Sequence, residues 1–570
     1  MRIAHLSKAV LRLACLAPLV RYCTAAPANY VFPPLLDATL ADLRDGLDGG
    51  HFTSVDLVEA YLARINEVNS ELHAVTEINP DAVSIAAELD CERQRGIINS
   101  TALPLHGIPI LVKNNIATDD KMNNTAGSYA LLGAKVPEDS TVVAKLRKAG
   151  AIILGKSNLS QWASCRELDS HEGWSAHGGQ TVGAYFPKQN PRGSSSGSGV
   201  ATSLGLAWAA LGTDTGGSII LPSHAGNLVG FRPTVGLTSR YLVVPYSERQ
   251  DTIGPMARTV KDAAYLMQAI AGRDQKDNYT SAIPFEQVPD YVGACKSSGL
   301  KGKRLGVSRN MIARGIDASS HTAPEAFEHA LDVLREAGAE IIDNVDLPCA
   351  IALTNETVHK GPTGPSTPGA DFLSDIPKYM KLLKTNPNNI TSVEDMRAFT
   401  QSFPQEQYPK YDTTEWDVYI ETGMYNTSPE FWELLTVVRE YLGPGCFTGA
   451  MEKHSLDAMV LPAVYTILTS SGLGLPTVTV PLGRAPDNAP IVPAEAGDLV
   501  SSAPNGPFGL GFAGPAFSEE MLFGMAYDFE QRTRVRETIR PYVQPRTELV
   551  DVVRKRCWAD KRGVGCGLVM

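Results

Sequence analysis

Two segments rich in glycine and serine, 193–199 and 212–218, stand on either side of a run of small apolar residues. A single segment of this kind is usually a flexible linker. Two that each end at an apolar stretch are not linker-like, because apolar residues are buried on folding. Glycine lets a backbone approach a bound molecule closely, and successive N–H groups beside a nucleophile stabilise an oxyanion. The pair therefore indicates a site built from backbone and hydroxyl groups.

The order of the expected helices and strands favours an α/β fold. Apolar periodicity and capping residues predict, in chain order, a helix capped by Thr53 and Ser54, a helix at 141–148, a strand at 151–154, a helix of small residues at 200–211, a helix at 323–337 and strands at 340–343 and 456–461. Alternation of this kind indicates a sheet covered by helices. No stretch is typical of an interdomain linker, so we predict one domain over residues 27–570.

The first 26 residues differ in composition from the rest of the chain. They contain Arg2, Lys8, Arg12 and Arg21 but no acidic residue, and they include an apolar core at 13–20. Small residues precede position 27, as in a cleaved secretory signal peptide. A mitochondrial presequence is the alternative, because Lys8 and Arg12 lie four residues apart on one helical face.

Sequons for N-glycosylation favour secretion over mitochondrial import. They occur at Asn99, Asn123, Asn158, Asn278, Asn355, Asn389 and Asn426. Some are chance matches, and we expect Asn158 to lie in the core. The sequence thus predicts a secreted glycoprotein.

Composition excludes several other functions. The net charge of -11 is unlike that of a nucleic-acid-binding protein, which needs clustered basic residues. Beyond the leader, no apolar stretch is long enough to span a bilayer. The nine cysteines show no CxxC motif or zinc-type spacing, and Cys557 with Cys566 is one candidate disulfide. We predict no metal, no cofactor and no nucleic-acid partner, and the oligomeric state stays open.

Two short motifs match known patterns but lack the context that their functions need. Residues 150–157 fit the phosphate-binding pattern GxxxxGK[ST], but their middle four residues are the expected strand rather than a loop. Residues 193–197 fit the GxSxG nucleophile elbow, with Ser195 as the nucleophile. Pro187 and Pro191 argue against the central strand that must precede such an elbow. Ser195 remains the alternative nucleophile.

Longer blocks of sequence resemble the amidase-signature family. Its signature is matched by 191–199, 212–218 and 230–234, its lysine motif by 104–116, and the block after that motif by 155–160. Within the family, 173–181 and 250–258 are most similar to peptide amidases and related fungal amidases. The resemblance is dense over 54–275 and thin over 276–455, a region that we expect to shape the substrate pocket. It implies a large mixed β-sheet covered by helices on both faces.

The resemblance also implies a role for each site residue. Ser218 is the acylated nucleophile, Ser194 the bridging serine after a cis peptide bond, and Lys113 the base. The implied oxyanion hole consists of backbone N–H groups, with a supporting hydroxyl on Ser195. Its donors are Thr215, Gly216, Gly217 and Ser218.

A lysine can serve as a base only when it is uncharged. Moving the pKa of Lys113 from about 10.4 to about 7 costs roughly 4–5 kcal/mol, and burial can produce a change of that size. The apolar run 108–112 before Lys113 suits a buried site.

Some residues depart from the family pattern. Arg192, Ser196 and Asn227 stand at positions that are usually glycine. We expect His224 to fill space rather than line the pocket. Ile220 stands where some relatives have arginine, which disfavours a carboxylate-bearing substrate, because an unpaired buried anion is costly.

The sequence as a whole predicts an amidase that cleaves a carboxamide C–N bond through an acyl-enzyme and releases ammonia or an amine. Its substrate would be a small-molecule or peptide amide. One alternative is the glutaminase subunit of a tRNA-dependent amidotransferase, and another is a catalytically inactive binding member of the family.

Overall fold

A computed structural model of the protein describes residues 30–314, 324–350 and 364–561. The expected leader at 1–26, the sequon at Asn355 and the cysteine at position 566 lie outside the described residues. Two parts of the region 276–455, namely 315–323 and 351–363, lie outside them as well.

Eleven strands form one mixed sheet in the order β1-β3-β2-β6-β8-β7-β12-β15-β11-β9-β10. The strands of the whole structure are β1 Val75–Ile78, β2 Pro109–Lys113, β3 Ile152–Ser157, β4 Trp174–Ser175, β5 Gly179–Gln180, β6 Ala209–Asp214, β7 Val229–Arg232, β8 Thr252–Ala257, β9 Arg304–Gly306, β10 Glu340–Ile342, β11 Ala458–Pro462, β12 Thr477–Arg484, β13 Val492–Pro493, β14 Val500–Ser502 and β15 Pro507–Ala513. Strand β2 pairs in parallel with both β3 and β6, whereas the pairings from β6 through β15 to β11 are antiparallel. The α/β class with a large mixed sheet is therefore confirmed.

The central strands are buried along their whole length. Every residue of β2, β6, β8 and β15 is buried. A strand that is buried at successive residues is covered on both faces, since its side chains alternate between them. The helices packed around the sheet provide this cover.

The helices are α1 Leu40–Asp48, α2 Ser54–Leu72, α3 Ala82–Gln94, α4 Thr141–Lys148, α5 Ser196–Ser203, α6 Ile220–Ala225, α7 Val260–Ile270, α8 Tyr291–Ala294, α9 Arg309–Arg314, α10 Pro324–Glu336, α11 Thr367–Leu382, α12 Val393–Ser402, α13 Thr414–Thr422, α14 Pro429–Leu442, α15 Phe447–Lys453, α16 Ile467–Leu473, α17 Glu519–Thr533, α18 Val535–Thr538 and α19 Leu549–Lys561. The predicted cap of α2 is confirmed, because the Thr53 side chain accepts from the N–H of Asp56. The expected elements at 141–148, 151–154, 323–337, 340–343 and 456–461 are likewise present.

The helix predicted over 200–211 is wrong. Helix α5 ends at Ser203, the backbone turns at Gly205 with φ +61°, and strand β6 begins at Ala209. Small apolar residues fit a buried helix and a buried strand equally well, so their periodicity does not separate the two. The second Gly/Ser segment is therefore reached along a central strand.

Helices α11 to α14, over residues 367–442, pack on one another and are here called the helical cover. Its apolar side chains, among them Phe372, Ile376 and Trp416, pack with Trp162 and Cys165 of the sheet-bearing part in one buried cluster. The cover is also held by a buried ion pair, in which Arg166 Nη1 lies 3.0 Å from Glu406 Oε2. Both side chains are almost fully inaccessible, so the cover is fixed to the rest of the fold by polar as well as apolar contacts.

Three of the described cysteines are disulfide-bonded. Cys349 is joined to Cys446, which lies between α14 and α15. Cys557 is also disulfide-bonded, and its expected partner at 566 lies outside the described residues. The pairing of Cys349 with Cys446 was not predicted, because sequence spacing alone does not fix connectivity.

Within the residues that the structure describes, no helix combines the length and apolar character that crossing a bilayer requires. In the same part of the chain, no three His, Cys, Asp or Glu side chains are grouped so that they could hold a metal ion.

Candidate active site

The site lies where two neighbouring parallel strands end. Lys113 is the last residue of β2, and Thr213 is the last but one of β6. Because parallel strands point the same way, their carboxyl ends meet at one edge of the sheet, where α/β folds commonly bind ligands. The segment that follows β6 carries Ser218, and the segment that precedes α5 carries Ser194, which Lys113 contacts.

Lys113 is completely buried and lies within hydrogen-bonding distance of three oxygens. Its Nζ donates to Ser194 Oγ at 2.8 Å, to Thr213 Oγ1 at 2.9 Å and to the Thr213 carbonyl at 3.3 Å. Burial lowers the pKa of Lys113 to about 7, against the opposing influence of the Asp214 and Asp251 carboxylates. Near neutral pH a large fraction of this amine is uncharged and can accept a proton.

Ser194 follows a cis peptide bond from Gly193, as the family resemblance implies. Its carbonyl accepts from the N–H of Ser160 at 3.0 Å. A side chain on Gly193 would come within 2.5 Å of Ser160 Oγ, so only glycine fits there without a shift. The backbone of Gly193 and Ser194 is thus held by its contacts with Ser160, which fixes the position from which the Ser194 side chain extends.

The backbone next to Ser218 is held by a buried carboxylate. Asp214 accepts from the N–H of Gly217 at 2.8 Å and from that of Ile219 at 2.6 Å. Arg232 donates to the same carboxylate at 2.7 Å, and neither side chain is exposed. Two backbone contacts and one ion pair therefore fix the turn that carries Ser218.

One predicted oxyanion donor already has a partner within the loop. The N–H of Gly217 donates to Asp214 Oδ1 at 2.8 Å, so an oxyanion would share this donor with the carboxylate. Gly216 is exposed, and a Cβ added there would meet no atom within 4 Å. The loop therefore faces open space at Gly216, and the assignment of Thr215, Gly216, Gly217 and Ser218 as donors stays a prediction.

Thr215 is tied to a second buried carboxylate. Its Oγ1 donates to Asp251 Oδ1 at 2.6 Å, and Asp251 Oδ2 accepts from the N–H groups of Tyr246 and Ser247. Burial raises the pKa of Asp251 to about 6. The carboxylates of Asp214 and Asp251 thus hold the loop 214–219 from two directions.

Ser195 is placed for support rather than attack. It is fully buried, and its Oγ donates to the Thr213 carbonyl at 3.0 Å. Its N–H donates to the Ser218 carbonyl at 3.2 Å. A nucleophile elbow needs an exposed hydroxyl, so the geometry disfavours Ser195 as the nucleophile.

Most of the phosphate-type motif at 150–157 lies in strand β3 rather than in a loop, as we expected. Lys156 is completely buried and donates to the Ile116 carbonyl at 2.6 Å and to Asn124 Oδ1 at 2.7 Å. Burial lowers its pKa to about 7. This lysine therefore fixes the chain that follows Lys113 and is not presented to a phosphate.

The departures from the family pattern are accommodated locally. Arg192 and Asn227 adopt φ values of +59° and +55°, which glycine would adopt more easily. Ser196 Oγ donates to the Arg192 carbonyl at 2.6 Å. His224 is buried and accepts from the N–H of Gly509 at 3.0 Å, which agrees with the expectation that it fills space.

Sequence reasoning missed three side chains that touch the site. Thr213 contacts Lys113, Arg232 pairs with Asp214, and Asp251 binds Thr215. Each lies inside a block that resembles the family, so the blocks located these residues without indicating what they contact.

Comparison with known proteins agrees with the fold. The sequence profile of the Amidase family matches residues 56–523. An Arthroderma benhamiae protein described as "Putative amidase" is 48% identical over 542 residues, which cover 91% of this chain and 90% of that protein. The crystal structure of native peptide amidase from Stenotrophomonas maltophilia superposes with a TM-score of 0.77 at 36% identity, covering 91% of this chain and 100% of that one. A glutamyl-tRNA(Gln) amidotransferase subunit from Geobacter metallireducens is 31% identical over 88% of this chain and 98% of its own length.

A mixed α/β sheet with a buried lysine and two serine-bearing loops at one edge, together with these relatives, identifies a hydrolase. The chain belongs to the Amidase family. It is similar to fungal amidases and to peptide amidase, and it is a hydrolase of amide C–N bonds.

Proposed function

We propose that the protein hydrolyses a carboxamide through an acyl-enzyme on Ser218, with Ser194 as the bridging serine and Lys113 as the base. The observation that carries the proposal is the 2.8 Å contact between Lys113 Nζ and Ser194 Oγ in a fully buried environment. A buried lysine whose pKa is lowered to about 7 supplies the uncharged amine that serine activation requires.

In the first step, Ser218 Oγ attacks the amide carbonyl carbon and gives its proton to Ser194 Oγ. Ser194 passes its own proton to the lone pair of Lys113 Nζ. Collapse of the tetrahedral intermediate breaks the C–N bond, and the proton returns through Ser194 to the leaving nitrogen. Water then repeats the sequence on the ester and releases the acid. In the part of the chain that the structure describes, Ser218 Oγ and Ser194 Oγ are not hydrogen-bonded to each other. We therefore assign the hydrogen bond that proton transfer requires to the substrate-bound state.

We assign the oxyanion hole to the backbone N–H groups of Thr215, Gly216, Gly217 and Ser218. The N–H of Gly217 also donates to Asp214, so the oxyanion would share this donor with the carboxylate. Donors that are held rigidly before the reaction stabilise a developing oxyanion most effectively. The two carboxylates that hold this loop provide such rigidity.

We propose an uncharged carboxamide as the substrate, with a peptide C-terminal amide as the first class to test. The solved structure described as peptide amidase supports this class. Ile220, two residues after the proposed nucleophile, is buried, and Ile467 lies against Gly217. Neither could pair with a carboxylate on the substrate.

Labelling with a fluorophosphonate probe tests the nucleophile. We expect covalent labelling of the parent at Ser218, identified by peptide mass spectrometry, and no labelling of Ser218→Ala. Ser195→Ala is the matched control and should keep the label at position 218. Labelling at Ser195, or none of the folded parent, would rule out the assignment.

Ammonia release from a panel of primary amides then tests the substrate class. We expect turnover of peptide amides or small uncharged amides and none by Lys113→Ala. Preferential hydrolysis of free glutamine, or an obligate partner that co-purifies, would favour the amidotransferase alternative instead. Binding of amides by a folded parent that never turns them over would favour an inactive family member.

We also propose that the protein is secreted and glycosylated. A disulfide between Cys349 and Cys446 suits an oxidising compartment. The sequons at Asn99, Asn278 and Asn389 are exposed, whereas Asn158 and Asn426 are buried. Expression in a eukaryotic host, with enzymatic deglycosylation in ¹⁸O water, should mark exposed sequons only. Retention inside mitochondria without glycan would contradict the proposal.

A further inference from the structure

Thr213 presents two oxygens to the amine of Lys113. Its hydroxyl lies 2.9 Å and its carbonyl 3.3 Å from Lys113 Nζ, and the third neighbour of this nitrogen is Ser194 Oγ at 2.8 Å. Thr213 therefore provides two of the three oxygens around this nitrogen, and the bridging serine provides the third.

The number of contacts matters because the two protonation states of a lysine differ in geometry. A charged ammonium has three N–H donors, which the three oxygens satisfy. An uncharged amine has two N–H donors and one lone pair. When the two donors point to the oxygens of Thr213, the lone pair is left facing Ser194 Oγ. That is the direction from which the proton must arrive.

Thr213 itself is held in place by the sheet and by its neighbours. It pairs with Ile253 of β8 across the antiparallel ladder. Ser195 Oγ donates to its carbonyl at 3.0 Å and accepts from its N–H at 3.3 Å. Asn115 Nδ2 donates to its hydroxyl at 3.0 Å. Both oxygens that face Lys113 thus have fixed positions, which is what an orienting group needs.

We propose that Thr213 is a positioning residue that directs the lone pair of Lys113 at Ser194 and stabilises the ammonium that forms after proton transfer. The inference rests on the proposed function, because it assumes that Lys113 is the base. The resemblance to the family assigned no role to Thr213.

The proposal predicts two effects of removing the hydroxyl. The amine would lose one of its two orienting acceptors, so proton transfer should slow even when Lys113 is uncharged. The ammonium would lose an acceptor too, which disfavours the charged form and moves the pKa of Lys113 further down. The charged groups that face Lys113 are Asp214 and Asp251, and the substitution leaves both in place.

Valine is nearly isosteric with threonine and lacks the hydroxyl, and serine keeps the hydroxyl. For Thr213→Val we expect kcat at its high-pH plateau to fall about 10- to 100-fold, the effect of losing a hydrogen bond to a charged group. The midpoint of the rise of kcat/KM with pH should move about one pH unit lower. Thr213→Ser should stay within about threefold of the parent at an unchanged midpoint. If Thr213→Val does not fold, Thr213→Ala takes its place.

Thr400→Val is the matched control, because Thr400 is a buried threonine of the helical cover whose hydroxyl has no partner among the described residues. It should leave both kinetic quantities unchanged. A Thr213→Val enzyme with the parent's plateau and midpoint would overturn the proposal. So would a lowered plateau with an unmoved midpoint that Thr213→Ser does not restore, since that pattern indicates a packing role.

Lys113→Ala is measured alongside and keeps the two levels of inference apart. If Lys113→Ala retains activity, the proposed base is wrong whatever the threonine variants do. If Lys113→Ala is inactive and Thr213→Val behaves as the parent, the proposed function stands and only the role of Thr213 fails.

Discussion

Replacing Lys113 with methionine is expected to stabilise the protein at neutral pH while abolishing its activity. Burial lowers the pKa of Lys113 from 10.5 to about 7 in the folded protein. The unfolded chain keeps the ordinary value, so at neutral pH folding must displace the equilibrium away from the charged amine. The difference corresponds to about 4–5 kcal/mol of lost stability, because one pKa unit is worth about 1.36 kcal/mol.

The sign and pH range follow from the two protonation equilibria. The cost of Lys113 is fully present below about pH 7 and disappears as the pH rises through 10.5, above which both states hold an uncharged amine. Methionine carries no such cost at any pH. It does lose the hydrogen bonds to Ser194 and Thr213, which opposes the gain by roughly 1–3 kcal/mol at every pH. We therefore expect Lys113→Met to raise the free energy of unfolding by about 1–4 kcal/mol at pH 7.

Urea unfolding followed by tryptophan fluorescence measures this difference at pH 7 and again at pH 9.5. By pH 9.5 the advantage of Lys113→Met should have fallen by about 3 kcal/mol, because most of the cost in the parent has gone. Lys381→Met replaces an exposed lysine of α11 and should show no such pH dependence. Equal differences between Lys113→Met and the parent at both pH values would refute the idea that Lys113 is held largely uncharged.

Three further predictions concern the pH dependence of catalysis and two buried ion pairs. In the parent, kcat/KM should rise with pH through about 7, because only uncharged Lys113 accepts a proton; a flat profile from pH 5.5 to 8.5 would contradict this. Asp214→Asn should lower kcat at least 100-fold and destabilise the fold by about 3–5 kcal/mol, measured by initial rates and urea unfolding, since it leaves buried Arg232 unpaired. Glu406→Gln should open the helical cover to limited proteolysis by leaving Arg166 without its carboxylate; an unchanged digestion pattern would count against that ion pair as an anchor.

Much of the fold and part of the site could be predicted from the sequence. Capping at Thr53 and the periodicity of 141–148 and 324–336 are local signals, so the corresponding helices were found. The run 200–211 failed because small residues carry little information about period. The family blocks led to Lys113, Ser194 and Ser218, and the structure brings the first two into direct contact.

The contacts that could not be predicted join residues that are far apart in the chain. Arg166 and Glu406 are 240 positions apart, and Cys349 and Cys446 are 97 apart. Nothing in local sequence specifies such partners. The engagement of the Gly217 N–H by Asp214 is local, yet it depends on the exact path of one loop, which a motif does not describe.

Strands β2 and β6 carry Lys113 and Thr213, the groups on which we expect reactivity to depend. We expect the helical cover, a different part of the fold, to determine which substrates are accepted. Both groups lie on neighbouring strands of the sheet, whereas the helical cover over 367–442 joins the rest of the fold through side chains such as Glu406 and a short backbone pairing of Thr385 with Lys135. Exchanging the helical cover for the equivalent region of a relative should change which amides are accepted. The same exchange should change only slightly the rate at which a small organophosphorus reagent modifies Ser218. Such a reagent contacts the residues at the sheet edge and has few atoms that could reach the helical cover.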